Sequence, residues 1–176
     1  MKIGDKMNKA LLVIDIQNDY FWEKRLPIFT YDTPKVINSI NETINKCKNE
    51  GYDIIYISHL IHNFPTNRLL FGYSIKGTEG AELYKDLNIV SDYKFNKYLP
   101  SAYTNRKFSK LMKDKNYDAI LICGIDEVGC VMHTALSAIK HTNNVIIVRN
   151  ATFSCADKIK QNKAIDKLLS KGIRYI

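Results

Sequence analysis

No stretch of this sequence approaches the roughly 18 apolar residues of a membrane span, so a helical transmembrane protein is excluded and no membrane partner is expected. A basic segment followed by an apolar stretch and small residues, the mark of a secretory leader, is also missing, and the expected location is cytoplasmic. The four cysteines (Cys47, Cys123, Cys130, Cys155) form no Cys-x-x-Cys pair and no zinc-type spacing. In a reducing compartment they read as core thiols or as one catalytic nucleophile. Arginine is scarce: only five of the 26 basic residues are Arg, although these exceed the 18 acidic ones and leave a net charge of +8. Dedicated phosphate and base readers favour the arginine fork, and a nucleic-acid face would need basic residues interleaved with aromatics. The excess is therefore a solvated lysine surface, and no nucleic-acid partner is expected. Internal repeats and low-complexity tracts are absent too.

What is there suits one folded domain spanning 1–176. The chain has 176 residues, 45% of them hydrophobic and 25% charged, within the range of a single domain with a sizeable core. Ala10 to Ile14, Ile54 to Ile57, Ala119 to Cys123 and Val145 to Val148 are short, unalternating apolar runs, as expected of strands buried on both faces of a parallel sheet. Ile89-Val90 and Ile173 to Ile176 are weaker strand candidates. Amphipathic stretches lie between them. One follows Thr33-Pro34, read as a cap and first-turn proline, and stops at Gly51. Asn105 and Asp157 cap two more, the last with Ile159, Ile165, Leu168 and Leu169 on one face. The segment from Gly129 to Lys140 is apolar around most of its circumference and predicts a buried helix. The alternation predicts an α/β fold: a roughly six-stranded, mostly parallel sheet with helices on both faces, a Rossmann-like three-layer arrangement. The stretch from Ile61 to Gly80 is the one long irregular loop, and loops of that length inside a domain are usually functional.

Open α/β sheets bind ligands beyond the carboxyl ends of their strands. Strand one ends at Asp15, strand two near Ser58-His59, and the Ala119 strand at Gly124, with Cys130 six residues on. Asp15 does not suit an aspartyl-phosphate enzyme, because Gln17 stands where a second carboxylate would be needed. Cys130, at the expected start of a helix, is a nucleophile candidate whose thiolate the helix amides and a nearby lysine would favour. Cys47 and Cys123 read as core hydrophobes, as does Cys155. Aromatic residues on the loops above the strand ends (Tyr20, Phe21, Trp22, Phe64, Tyr73, Tyr103) are candidate pocket walls. His59 and His133 are candidates to orient a substrate.

Four segments carry a resemblance. They are Leu12-Val13-Ile14-Asp15-Ile16-Gln17-Asn18-Asp19-Tyr20-Phe21, Gly77-Thr78-Glu79-Gly80-Ala81-Glu82-Leu83, Lys97-Tyr98-Leu99-Pro100-Ser101-Ala102-Tyr103, and Gly124-Ile125-Asp126-Glu127-Val128-Gly129-Cys130-Val131-Met132-His133-Thr134-Ala135-Leu136. In this order they resemble the signature blocks of the isochorismatase-like (nicotinamidase-related) cysteine hydrolases. The resemblance implies that fold and a triad of Asp15 as general base, Lys97 as cation and Cys130 as nucleophile, with Lys94 as a rival to Lys97. It also implies a non-proline cis peptide at Ile125-Asp126 and an oxyanion site at the amides near Asp126 and Cys130. A homo-oligomer is expected by analogy alone.

Departures from the family pattern narrow the substrate. Nicotinamidases of the family carry an Asp-x-His after strand two and a later His before a Gly-Thr pair. Ser58-His59-Leu60-Ile61-His62 supplies the first in neither register, and Tyr73 occupies the later position. His59 and His62 alone fall short of the three or four donors of a metal site, so no metal and no other cofactor is expected. True isochorismatases of the family lack the cysteine. The expected activity is hydrolysis of a C–N bond in a small amide, ureide or carbamoyl compound through a thioester, with Phe21, Trp22, His59, Phe64, Tyr73 and Tyr103 around the substrate. The alternatives are a nicotinamidase-type amidase with a degenerate metal site, and an idle member that binds a small ligand or partner protein.

Overall fold

The computed structural model describes residues 7–176. The first six positions of the 1–176 domain, and with them the start of the segment read for a leader, lie outside the described residues. Six strands, β1 (Lys9–Ile14), β2 (Asp53–His59), β3 (Lys94–Lys97), β4 (Ala119–Gly124), β5 (Val145–Thr152) and β6 (Arg174–Tyr175), form one sheet in the order β3-β2-β1-β4-β5-β6. Every pairing is parallel. The chain winds outward from β1 to β3, then returns to the other side of β1 with β4. The carboxyl ends of β1 and β4 therefore flank a topological switch point, where a crevice opens.

Side chains alternate along β1. Leu11 and Val13 enter one core with Val36, Ile37, Ile40, Ile44 and Cys47 of α2 (Thr33–Asn49). Leu12 and Ile14 enter the opposite core, with Phe108 and Met112 of α4 (Arg106–Lys115), Ala135 and Ala138 of α5 (Met132–Ala138), and Leu168 of α6 (Lys158–Ser170). Two short α-helices are α1 (Asn18–Phe21), directly after β1, and α3 (Pro65–Leu70) in the long loop. No described helix is long and apolar enough to cross a membrane.

Several local expectations need correction. The third strand is Lys94–Lys97, not Ile89-Val90. The Tyr56 hydroxyl donates to the Asn88 carbonyl at 2.7 Å and accepts from the Val90 amide at 3.0 Å, which fixes that apolar pair as a loop crossing over β2. The cap of α2 is Asp32, whose carboxylate accepts from the Lys35 amide, so Thr33 and Pro34 are already helical. In α6 only Ala164 and Leu168 are buried; Ile159 and Leu169 point to solvent because the helix lies against the sheet along a narrower stripe than its apolar residues suggest. The segment after β4 starts with a π-helical turn, Glu127–Val131, before α5, and His133, a candidate to orient a substrate, is exposed on that helix.

Candidate active site

Asp15 follows β1 with a positive φ of 57° and turns its carboxylate back over the strand ends. Lys97 is the last residue of β3, two strands away, and its long side chain crosses the end of β2. Its Nζ lies 2.8 Å from Asp15 Oδ2 and 3.0 Å from Cys130 Sγ. The pair is sealed, with side-chain exposures of 0% for Lys97 and 4% for Asp15. The two-residue alternation of a strand explains why Lys97 is here and Lys94 is not. Lys97 shares a face with Phe95, whereas Lys94 and Asn96 face the other way and are exposed.

Cys130 is brought in by β4. Gly124 has φ +121°, and a Cβ there would stand 2.2 Å from the Ile14 carbonyl oxygen, so only glycine lets the ends of β1 and β4 approach this closely. The next peptide, Ile125-Asp126, is cis. The Asp126 carboxylate accepts from the Tyr31 hydroxyl (2.9 Å), Ser154 Oγ (2.6 Å), the Cys155 amide (3.0 Å) and the Val128 amide (3.0 Å). Its main-chain carbonyl accepts from the Gly129 and Val131 amides. Asp126 thus ties the turn bearing Cys130 to the segment after β5.

The thiol differs from the sequence expectation. Burial, then the Asp15 charge, push the Cys130 thiol up to about 12, and Lys97 offsets this only in part. A helix start and a lysine do not make a thiolate when the sulfur is largely buried and a carboxylate shares the site, although Cys130 itself stays partly exposed. For Lys97, burial works against the cation, but Asp15 and Cys130 outweigh it and hold the ammonium above its ordinary value. The Asp15 Oδ1 atom is buried with no hydrogen-bond partner.

His59 ends β2. Burial, then the Lys97 charge, hold its imidazole below the usual histidine range, and its Nδ1 is buried without a partner. Its main chain is gripped by Gln17, which is fully buried and also bonds the Ala81 carbonyl. Gln17 was visible in the sequence only as the absence of a carboxylate. Its work is done on backbone groups, which no residue pattern reveals.

The aromatic candidates divide. Tyr73 and Tyr20 stand close enough to feel a charge on Cys130, and they form one cluster with Phe29, whose ring centroid is 4.8 Å from Tyr20 and 5.0 Å from Tyr73. The Tyr20 hydroxyl bonds Ser74 Oγ. Phe21, 2% exposed, packs among Tyr20, Tyr31 and Tyr84 and is core rather than wall. The Tyr103 ring stacks on His141 and meets Phe108 of α4 edge-on, within the helical layer. Trp22 sits on the outer side of α1, beside Asp19 and Glu79, with its indole N–H buried and unpartnered. Phe64 is an exposed residue capping α3.

Comparison with known proteins agrees with this architecture. The sequence model of the Isochorismatase domain matches residues 9–174. The chain belongs to the isochorismatase family. Over 174 residues it is 25% identical to a probable inactive nicotinamidase of Arabidopsis thaliana, covering 90% of this chain and 87% of that one. The fold is shared with the pyrazinamidase of Pyrococcus horikoshii, solved in complex with zinc (TM-score 0.82, 23% identity, 96% of this chain and 98% of that one). It is shared as well with the N-carbamoylsarcosine amidase of Thermoplasma acidophilum (TM-score 0.76, 20% identity, 96% and 95%).

The zinc in the structure of the Pyrococcus horikoshii pyrazinamidase raises the question whether these residues suit a metal. Among the described residues no three His, Cys, Asp or Glu side chains are grouped to hold one. Neither ring nitrogen of His59 has a hydrogen-bond partner among the described residues, but the Lys97 charge acts on that ring and would repel a second cation. The His62 ring lies flat on Tyr98, with centroids 4.3 Å apart. The residues present do not fit a metal centre.

Proposed function

We propose that this isochorismatase-family chain is a cysteine hydrolase that cleaves a C–N bond of a small amide, ureide or carbamoyl compound. The observation that carries the reading is the buried Lys97 Nζ bonded at once to the buried Asp15 and to the sulfur of the partly exposed Cys130. A buried cation shared by a carboxylate and a thiol has no packing advantage over apolar residues of similar size.

In this reading Cys130 rests as a thiol. As a carbonyl carbon arrives, the S–H proton passes to Asp15, whose Oδ1 is free to take it, and the sulfur forms a bond to that carbon. Lys97 stands beside the charge that develops on sulfur, and the amides of Asp126 and Cys130 face the carbonyl oxygen as it becomes an oxyanion. The C–N bond then breaks, the leaving nitrogen takes the proton back from Asp15, and a thioester remains. Asp15 next removes a proton from water, hydroxide oxygen adds to the thioester carbon, and the acid leaves as sulfur regains its proton. The Tyr20–Phe29–Tyr73 cluster forms one wall of the substrate site and His59 lies at its edge.

The test is an amide and ureide panel assayed for ammonia or amine, with a search by mass spectrometry for an acyl adduct on Cys130. Turnover that survives prolonged chelation and vanishes in Cys130→Ala is the expected result. Turnover unchanged in Cys130→Ala overturns the nucleophile. A second reading, a ligand-binding member without turnover, is favoured by the resemblance to a relative described as probably inactive. It predicts that panel compounds bind without any acyl adduct.

A further inference from the structure

A second recess lies away from the thiol, on the α2 side of the sheet, between the ends of β2 and β3 and the loop over residues 76–89. It is a groove of about 680 Å³. Its floor is apolar, built from Leu60, Leu83 and Leu87, with Lys76, Lys85 and Lys94 around it and Glu82 as the one carboxylate of the lining. Among the described residues none of the three lysines makes a salt bridge, and all three are exposed. Strand alternation puts Lys94 here and Lys97 in the catalytic cluster, on opposite faces of one four-residue strand.

We propose that this groove binds a small amphiphilic anion, an apolar body carrying a carboxylate, sulfonate or phosphate. The charge around the recess argues for that occupant. Three ammonium groups against one carboxylate repel a cation and give a neutral ligand nothing beyond the floor. A ligand with both an apolar body and an anionic group uses floor and rim together, because apolar burial and Coulomb attraction act on different parts of it. A nucleic-acid strand would instead want several aromatic stacking platforms along a basic track, and Tyr84 is the one aromatic of this lining.

The groove also has a neighbour that gives occupancy a consequence. Its wall, Ala81 to Tyr84, is the strip that pairs with the turn after Asp15: Gln17 bridges Leu83, the Asn18 amide donates to the Glu82 carbonyl at 2.9 Å, and the Tyr84 amide donates to the Ile16 carbonyl at 2.9 Å. A ligand in the groove therefore leans on the far side of the strip that braces the catalytic turn. The site itself does not depend on the hydrolase reading.

Fluorescence titration of the full chain with 1-anilinonaphthalene-8-sulfonate, an aromatic body with one sulfonate, tests the proposal. Saturable binding of one probe per chain is expected, weakened about tenfold or more in Lys85→Glu/Lys94→Glu. The milder Lys85→Gln/Lys94→Gln pair, which only neutralises, should weaken it in the same direction and serves if the reversal variant fails to fold. Uncharged N-phenyl-1-naphthylamine should show no such dependence on the lysines. Absence of saturable binding, or binding unchanged in both pairs, overturns the site. Sedimentation showing a wild-type dimer that dissolves in the charge variants would give the groove to a second copy of the chain and overturn the small-anion reading.

Discussion

Gln17 holds the main chain of His59 at both ends: its Oε1 accepts from the His59 amide at 2.9 Å and its Nε2 donates to the His59 carbonyl at 2.9 Å. One side chain on the turn after β1 thus fixes where β2 stops and where the imidazole stands. In Gln17→Leu the His59 amide, the His59 carbonyl and the Ala81 carbonyl lose the partner that the fully buried Gln17 supplies. At about 1–3 kcal/mol for each buried group left unmade, the expected loss is several kcal/mol, read as a lowered urea midpoint. A variant as stable as the parent would show that the clamp is replaceable.

The Asp15–Lys97 pair permits a cleaner separation of stability from activity. Removing one partner leaves a lone buried charge, which costs about 3–5 kcal/mol, whereas replacing both by apolar groups is often neutral. Asp15→Asn and Lys97→Met should each lower the melting temperature, and the double variant should regain much of it. Turnover should fall about a thousandfold or more in all three. A stable double variant with wild-type turnover would remove both residues from the chemistry.

The fold should weaken on mild acidification, with His59 contributing. Its folded-state value lies below the usual 6.5, so the unfolded chain binds the proton more readily. Stability from this group is fully present above about pH 6.5 and is lost as pH falls toward the depressed value. Denaturant midpoints at pH 7.5 and 5.5 should differ less in His59→Gln than in the parent. Equal differences would clear His59.

Thiol chemistry should split by reagent. Burial and Asp15 hold the Cys130 thiol near 12, and burial holds that of Cys47 near 11. Cys123 is fully buried. Iodoacetamide, which consumes thiolate, should therefore react slowly at Cys130 although that residue is partly exposed. An aldehyde or nitrile shaped like the substrate amide should instead capture Cys130, because Asp15 takes the proton during attack. Asp15→Asn should slow that capture about a hundredfold or more, measured by mass spectrometry. Capture at the parental rate in Asp15→Asn would dismiss the carboxylate as base.

How much of this was legible in the sequence depends on whether a residue acts by type or by surroundings. β1, β2, β4 and β5 showed as continuous apolar runs because strands covered on both faces need them. β3 did not: Lys-Phe-Asn-Lys lies at the sheet edge, so two of its residues face water and one serves the site, while the more apolar Ile89-Val90 is pinned as loop by the Tyr56 hydroxyl. Asp15 could be picked out as an acid at a strand end and Cys130 as a sulfur shortly after one, whereas Lys97 came only from the resemblance, because its strand did not show. The protonation of Cys130 could not be read, since it follows from burial and from its distance to Asp15. Phe21 and Tyr103 looked like any other loop aromatics until their ring partners placed them in the packing.

The cation of the cluster arrives on the outermost rung of the sheet. β3 has four residues and a single strand neighbour, and short margins of this kind open before the middle of a sheet does. Unzipping that border would carry Lys97 away and strand an acid beside a protonated sulfur while β1 and β4 remain zipped. The protein can thus lose its reactive arrangement well before it loses its shape, and hydrogen exchange at residues 94–97 would report on working lifetime better than any global melting curve.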